Sequence, residues 1–388
     1  MRRKLMSVSQ EIYKHKHIVF GFEHYNPLGI VRSLGENGIK PIGIIINGLR
    51  PITSKSKYLS DKYLVNSVEE GYNLLLKLYG NEKMKPFVYA SDDQVTNYMD
   101  ARYEDLKDKF YFYNAGKTNG IAKFQNKANI LHLASKYDLA YLKTYEVKKG
   151  EVPKDLEYPI ITKAIISTID NWKADMIICH NEQELREAYK TIRSERVLLQ
   201  KYIYKKNELC LEGYAFDRGK KSIVTLASTY NYLLENSYSP YMTSGNLNND
   251  ELERKLAGMF AEIGFEGIYE VEFLVDQDDK LYFLEINFRN STWSYASTVA
   301  GLNLPLLWAQ GMIEPDQVEV PNKKRIEPFT AMVEFDDYRE RVKTKEISFR
   351  QWYKDFRNAK CTYYCASKDY APIISVILSK FRRKVKKG

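Results

Sequence analysis

Residues 268–289 read Ile-Tyr-Glu-Val-Glu-Phe-Leu-Val-Asp-Gln-Asp-Asp-Lys-Leu-Tyr-Phe-Leu-Glu-Ile-Asn-Phe-Arg. Tyr269, Val271, Phe273 and Val275 alternate with Glu270, Glu272 and Leu274, which is the period of a β-strand. Asp276 to Asp279 form a polar turn, and Lys280 to Ile286 return as a second strand. Glu272 and Glu285 then lie on neighbouring strands, and Asn287 shares the face of Glu285 because strand side chains repeat every two residues. Three oxygen donors on one patch of sheet suit magnesium, which takes a few carboxylates together with phosphate oxygens and water. Arg289 continues the face and can set a fixed positive charge beside a transferring phosphoryl group. A solvated sheet face is the plain alternative, and Leu284, Ile286 and Phe288 on the opposite face fit either reading. Glu, Asn and Arg at successive same-face positions are nevertheless a poor choice for an ordinary strand end.

Upstream, His17 to Phe22 (HIVFGF) and Pro41 to Ile46 are apolar runs that read as buried strands, followed by Lys62 to Val65 and by a strand at Phe87 to Ala90. One helix ended by Gly38 and another over Val68 to Tyr79 lie between them. This alternation predicts a small parallel sheet. The first strand-to-helix turn carries Gly29 but no GxGxxG, so a dinucleotide site is unsupported. From about Lys117 the pattern changes. Helices over Phe124 to Tyr137, Glu182 to Arg193 and Asp250 to Ile263 alternate with extended pieces at 158–164, 176–179, 197–203, 209–216 and 222–228.

At 388 residues the chain is long enough for two to three compact domains. Its 44% hydrophobic and 28% charged residues are those of a soluble globular protein. The formal net charge of +9 suits an anionic partner: nucleotide phosphates, an acidic substrate, an anionic membrane or nucleic acid. No RNA- or DNA-binding signature accompanies it, so no nucleic-acid partner is expected. Among Cys179, Cys210, Cys361 and Cys365 only the last two are close, with no second ligand pair, so reduced thiols in the cytoplasm are expected. The start lacks the apolar run of a signal peptide, and no stretch has the length to span a bilayer. Basic residues concentrate in Lys380 to Lys387, behind the apolar run Ala371 to Leu378. That end reads two ways: as an amphipathic anchor on the anionic inner face of a membrane, or as a helix docked on the core with a solvated basic end.

Tyr269-Glu270-Val271-Glu272-Phe273 and Phe283-Leu284-Glu285-Ile286-Asn287-Phe288-Arg289 resemble the metal-binding signature of the ATP-grasp superfamily, which usually ends EINPR. Phe288 replaces the proline and leaves the ligand positions intact. Ala300-Gly301-Leu302-Asn303-Leu304-Pro305 is similar to the family's AGxNLP segment. Within the superfamily the chain resembles carboxylate–amine ligases similar to D-aspartate ligases and to ligases that modify cell-surface polymers. The resemblance runs from about Gly116 to Gln310, about half the chain.

The resemblance implies an α/β chain with the ATP-grasp fold and an N-terminal Rossmann-like (pre-ATP-grasp) domain. Residues 1–115 would be that domain, 116–204 the small lid subdomain, 205–330 the large subdomain with the metal site, and 331–388 a C-terminal extension with the basic tail. It implies ATP and Mg2+ as cofactors, with Glu272, Glu285 and Asn287 holding the metal and Arg289 on the phosphate or acylphosphate. Lys127 and Lys163 match the two nucleotide lysines, and Arg289 and Lys163 are the expected catalytic residues. Gln200, Lys201, Tyr202 and Ile203 match the hinge whose backbone holds adenine, and Glu208 matches the ribose-binding carboxylate. Family members carry a glycine-rich loop after the second lysine. Here Ile165 to Lys173 has no glycine, so its phosphate contacts would fall to Ser167, Thr168 and Lys173.

Taken singly, Lys127 reads as a solvated helix residue and Glu208 is uninformative, whereas Lys163 closes a strand carrying Ile160 and Ile161. Gly116-Lys117-Thr118 lacks the earlier glycine of a phosphate-binding loop, and Asp276, Asp278 and Asp279 lack the spacing of a calcium loop. Asn290-Ser291-Thr292 is a glycosylation sequon without secretory context. The expected activity joins a carboxylate to an amine through an acylphosphate, on an amino acid, a peptide or a cell-surface polysaccharide precursor. Two rivals stand beside it. One is a nucleotide-binding module that regulates or scaffolds surface-polymer assembly without turnover; the other is an ATP-grasp kinase or carboxylase, for which no biotin or phosphohistidine feature is present.

Overall fold

The apolar runs near the start form a sheet of parallel strands, β1 (His17–Phe22), β2 (Ile42–Ile46), β3 (Lys62–Val65) and β4 (Phe87–Ala90), in the order β3-β2-β1-β4. Every residue of β2 and β4 is buried, which is why these strands read as unbroken apolar runs and not as alternating ones. Helices Tyr25–Gly35, Val68–Tyr79 and Asp93–Asp100 follow β1, β3 and β4. Each is capped by the side chain just before it: His24, Ser67 and Asp92 accept from the first-turn N–H groups of Asn26, Glu70 and Val95. A computed structural model describes residues 9–48, 50–164, 175–234, 238–316, 318, 326–366 and 368–385, with backbone alone for 164 and 380–385. The loop 165–173 and the side chains of the basic tail lie outside the described residues.

The chain divides into two compact units, Met1–Asn126 with Leu209–Glu272 and Ile286–Gly388, and Lys127–Glu208 with Phe273–Glu285. The second unit holds an antiparallel sheet of β5 (Thr144–Lys148), β6 (Ile160–Ala164), β7 (Ile178–Cys179) and β8 (Arg196–Lys201), in the order β5-β8-β6-β7. Ile160, Cys179, Val197 and Leu199 pack with Leu185 and Tyr189 of the helix Glu182–Thr191 to make its core. The helix expected over 124–137 is two, Gly120–Gln125 and Lys127–Lys136, because Asn126 turns extended (φ −66°, ψ 123°) between them. Asparagine competes with the helix by bonding backbone locally, and the break makes Lys127 the first residue of a new helix.

A third sheet, mostly antiparallel, contains β9 (Asn207–Phe216), β10 (Lys221–Tyr230), β11 (Tyr241–Gly245), β12 (Gly267–Val275), β13 (Leu281–Asn287), β14 (Phe329–Met332) and β15 (Cys361–Thr362), in the order β13-β12-β9-β10-β11-β14-β15. Its last two strands come from a stretch whose strands the sequence pattern does not reveal. They are short, and β15 pairs parallel to β14 through only two residues. In the first unit Cys210, Leu226, Tyr230 and Met242 of this sheet share a core with Tyr25, Trp293, Tyr363, Tyr364 and Val376.

Two buried carboxyl groups fix the C-terminal segment in the first unit. Glu334, 3% exposed, accepts from the N–H groups of Tyr363 at 3.0 Å and Cys365 at 2.7 Å. Asp369, 1% exposed, accepts from Arg32 Nε at 3.0 Å, Ser56 Oγ at 2.8 Å and the Lys57 N–H at 3.0 Å. The Arg32 guanidinium also donates to the carbonyl oxygens of Tyr363, Tyr364 and Asp369. Replacing Asp369 by Ala leaves the Arg32 charge buried without its counterion. The unfolding free energy should fall by about 3–5 kcal/mol in denaturant titrations; an unchanged midpoint would show that Asp369 does not hold the segment.

Candidate functional site

In the first unit β13 ends at Asn287, whose side-chain amide lies between two carboxylates. Its Nδ2 donates to Glu272 Oε1 at 2.7 Å and to Glu270 Oε2 at 3.0 Å. Glu270 and Glu272 stand two apart on β12, so strand periodicity sends both to one face. Arg289 Nη2 donates to Asn287 Oδ1 at 3.2 Å, and its Nε lies 3.0 Å from Asp93 Oδ1. Burial works against the guanidinium charge, but Asp93, then Glu270 and Glu272, outweigh it and raise its pKa. Arg289 is therefore a fixed cation.

Behind this patch lies a further acid. Glu212 on β9 is fully buried and accepts from Ser291 Oγ at 2.5 Å and Ser294 Oγ at 2.6 Å. Burial nevertheless raises its pKa to about 7. Burial, then the Glu212 charge, push Glu270 up as well, and the two carboxyls share a hydrogen bond. Burial thus works against the charged form of both carboxyls. His24, in the loop after β1, is lowered to about 4 by burial, with the Arg289 charge adding to the effect, so its imidazole is neutral. Asp92, the cap of the helix after β4, is raised to about 6 by burial.

The second unit holds the expected nucleotide lysines. Lys127 Nζ donates to Glu285 Oε2 at 2.7 Å and to the Leu284 carbonyl at 2.9 Å. Lys163 Nζ donates to Gln200 Oε1 at 2.7 Å, and Gln200 Nε2 in turn holds Thr144 Oγ1 at 2.9 Å. Among the described residues no carboxylate reaches ion-pair distance of Lys163. Burial lowers its pKa to about 8, the Lys127 charge adds to this, and Glu285 and Glu208 oppose it. Glu208 pairs with Lys205. The N–H groups of Lys201 and Tyr202 donate to the carbonyls of Lys143 (2.8 Å) and Pro159 (2.9 Å), so the hinge is pinned to its neighbours on both sides.

Of the expected residues, Glu272, Asn287 and Arg289 therefore stand together in the first unit. Lys127, Lys163, Gln200, Lys201, Tyr202, Ile203, Glu208 and Glu285 belong to the second. Glu212, Glu270, Asp93, Ser291 and Ser294 were missed by the sequence reading. A signal existed for two of them: Glu270 shares the parity of Glu272, and Glu212 shares that of Glu208 on β9. Asn290 of the discounted sequon is 2% exposed and accepts from Tyr113 Oη at 2.6 Å, so it sits in the core. The AGxNLP-like segment is a helix-to-helix joint. Gly301 (φ +102°) ends the helix Ser294–Ala300, and Asn303 caps Leu304–Ile313 while donating to the Ser33 carbonyl at 2.6 Å.

Glu272 and Asn287 in the first unit and Glu285 in the second each carry an oxygen donor of the kind a magnesium ion takes. Among the described residues no three His, Cys, Asp or Glu side chains gather into a self-sufficient metal cage.

No family model matches the sequence. Solved structures do match. The L-amino acid ligase from Bacillus licheniformis aligns with a TM-score of 0.62 at 13% identity, over 82% of this chain and 80% of that one. N5-carboxyaminoimidazole synthetase from Staphylococcus aureus, complexed with ADP, aligns at 0.62 and 15%, over 85% of each chain. The biotin carboxylase–β,γ-ATP complex from Campylobacter jejuni aligns at 0.65 and 15%, over 84% of this chain and 76% of that one. At such identities the likeness concerns architecture, and on that evidence this chain has the α/β ATP-grasp fold.

Proposed function

We propose that this chain is an ATP- and magnesium-dependent ligase that joins a carboxylate to an amine through an acylphosphate. Its substrate class would be an amino acid, a peptide or a cell-surface polysaccharide precursor, handled in the cytoplasm. The observation that supports this most is Lys163, a partly buried cation bonded to a neutral amide and lying in the field of a second lysine. Two cations held this way, one of them without a carboxylate at bonding distance among the described residues, are matched by a polyphosphate. The fold, shared with a ligase, a synthetase complexed with ADP and a carboxylase–nucleotide complex, points the same way. The four-part division at 115, 204 and 330 belongs to the same reading.

The roles follow from charge. A carboxylate does not react with an amine because its leaving group would be oxide. Its oxygen attacks the γ-phosphorus of ATP, the bond to the bridging oxygen breaks, and ADP departs with the electron pair. Lys127 and Lys163 neutralise phosphate oxygens, and Arg289, kept charged by Asp93, faces the group in transfer. Glu272, Glu285 and Asn287 would hold magnesium, which supplies charge neutralisation on the phosphates when bound. The amine then attacks the acyl carbon, phosphate leaves, and the nitrogen gives up a proton to yield the amide. Gln200–Ile203 and Glu208 would receive the adenine and ribose.

The pKa of Lys163 sets a pH profile. It lies at about 8 in the free protein, and a bound phosphate favours the charged form. Below that pH the lysine is already protonated. Above it, binding must take up a proton, so ATP affinity falls as pH rises through about 8 while adenosine affinity does not. Lys163→Ala should weaken ATP by about 10- to 100-fold, leave adenosine nearly unchanged and flatten the profile. Equal losses for both ligands by calorimetry would take Lys163 out of the phosphate site.

Turnover is tested with hydroxylamine in place of the amine. The cognate carboxylate and ATP should then give a hydroxamate that requires magnesium, with acidic donors such as aspartate, glutamate or a uronic acid tried first. Glu285→Gln removes a ligand charge at constant size and should lower the signal by about a hundredfold or more with the fold intact. Saturating ATP binding with no hydroxamate across a broad carboxylate panel would favour the non-catalytic regulatory or scaffold module.

A further inference from the structure

The helix Ala371–Val385 presents two apolar faces. One is used internally: Val376 is fully buried in the core of the first unit, and Ile373 packs against that core. The other is not. Ile374, Ile377 and Leu378 are 53%, 40% and 53% exposed. Their spacing of three and four residues lines them along a single stripe. A helix that merely docks on its own core has no use for such a stripe, and adjoining exposed aliphatic side chains mark a surface that meets something apolar.

The sequence supplies the second half of the argument. Immediately beyond the stripe come Lys380, Arg382, Arg383, Lys384, Lys386 and Lys387, and residues 371–388 contain no Asp or Glu. Most of the chain's formal +9 is thus concentrated in this end. We propose that the helix Ala371–Val385 is an interfacial anchor, laying Ile374, Ile377 and Leu378 into the acyl boundary of an anionic bilayer while the basic run meets the lipid headgroup charge. Aliphatic insertion and polybasic attraction are the two signals that reversible membrane association requires, and they stand side by side here. Among the described residues no helix is long and apolar enough to cross a membrane, so the contact is peripheral. A nucleic acid offers the cations a partner but gives three aliphatic side chains nowhere to go. The occupant that complements both features is lipid.

Vesicle sedimentation of the full chain tests this. Vesicles of phosphatidylcholine with phosphatidylglycerol should carry the protein down, those of phosphatidylcholine alone should not, and raised salt should release it. The double substitution Ile374→Asp with Leu378→Asp leaves Val376 and every basic residue in place. It should lower partitioning by about tenfold or more, the change expected from losing the insertion of one aliphatic side chain. Deleting residues 380–388 should give a comparable loss, with circular dichroism and ATP binding unchanged in both variants. Three results would overturn the proposal: no sedimentation with anionic vesicles, equal sedimentation with neutral ones, or binding that survives the Asp substitutions. Tail-dependent binding of an oligonucleotide without vesicle binding would do so too.

Discussion

The amide of Asn287 mediates between opposite charges. Its nitrogen faces Glu270 and Glu272, and its oxygen takes the Arg289 guanidinium. The surrounding structure answers the cost of burying so much charge, which amounts to several kcal/mol, in the order of about 3–5, when one partner of a buried pair is missing. Three carboxylates on neighbouring strands would repel one another if all were ionised. The repulsion is relieved by the hydroxyls of Ser291 and Ser294 on Glu212 and by Arg289, and burial disfavours the charged forms of Glu212 and Glu270. Glu272, the outermost of the three, is then left with Asn287 as a neutral neighbour.

This arrangement also rests on the N-terminal sheet. Arg289 owes its position to Asp93, and Asp93 opens a helix whose start is fixed by the Asp92 cap at the end of β4. The approach there is tight. A Cβ on Gly21, near the end of β1, would lie 2.3 Å from Ser91 Oγ and 3.3 Å from Asp92 Oδ2, so a larger residue there would make the Ser91 side chain move. The strand order reverses between β1 and β4, and in open parallel sheets loops diverge at that reversal and leave room for a ligand. His24, in the loop after β1, and Asp93, the first residue of the helix after β4, come from the two sides of it and act on Arg289 or feel its charge.

Periodicity made much of the fold legible. The buried strands β1 and β2 lie on unbroken apolar runs, and the helices Val68–Tyr79 and Asp250–Ile263 and the hairpin of β12 and β13 lie where the period of their apolar residues puts them. What stayed hidden depends on distant partners. Three of the five residues of β11, Thr243, Ser244 and Gly245, are small and carry little apolar surface, and the strand exists because it pairs with β10 and β14 on both edges. The stretch around residues 361–369 carries no strong period. It is held by Glu334 and Asp369, and an acid in a sequence does not announce that it will be buried against backbone N–H groups.

The site divides along the same line. Within one strand, spacing of two is enough to place side chains on one face, which is how Glu285 and Asn287, or Glu270 and Glu272, could be read. Across the chain it is not: Ser291 meets Glu212 from 79 positions away, and Lys127 meets Glu285 from 158. Neither Ser291 nor Lys127 differs from a surface residue until the fold delivers its partner. The ionic character of the site is hidden for a related reason. Glu212, Glu270 and Lys163 have unremarkable identities, and burial alone is the largest cause of each shift. A sequence can therefore specify which groups are titratable at the site. Only the packing around them decides which carry charge at neutral pH, and here that choice keeps Arg289 positive and brings the Lys163 pKa down to about 8.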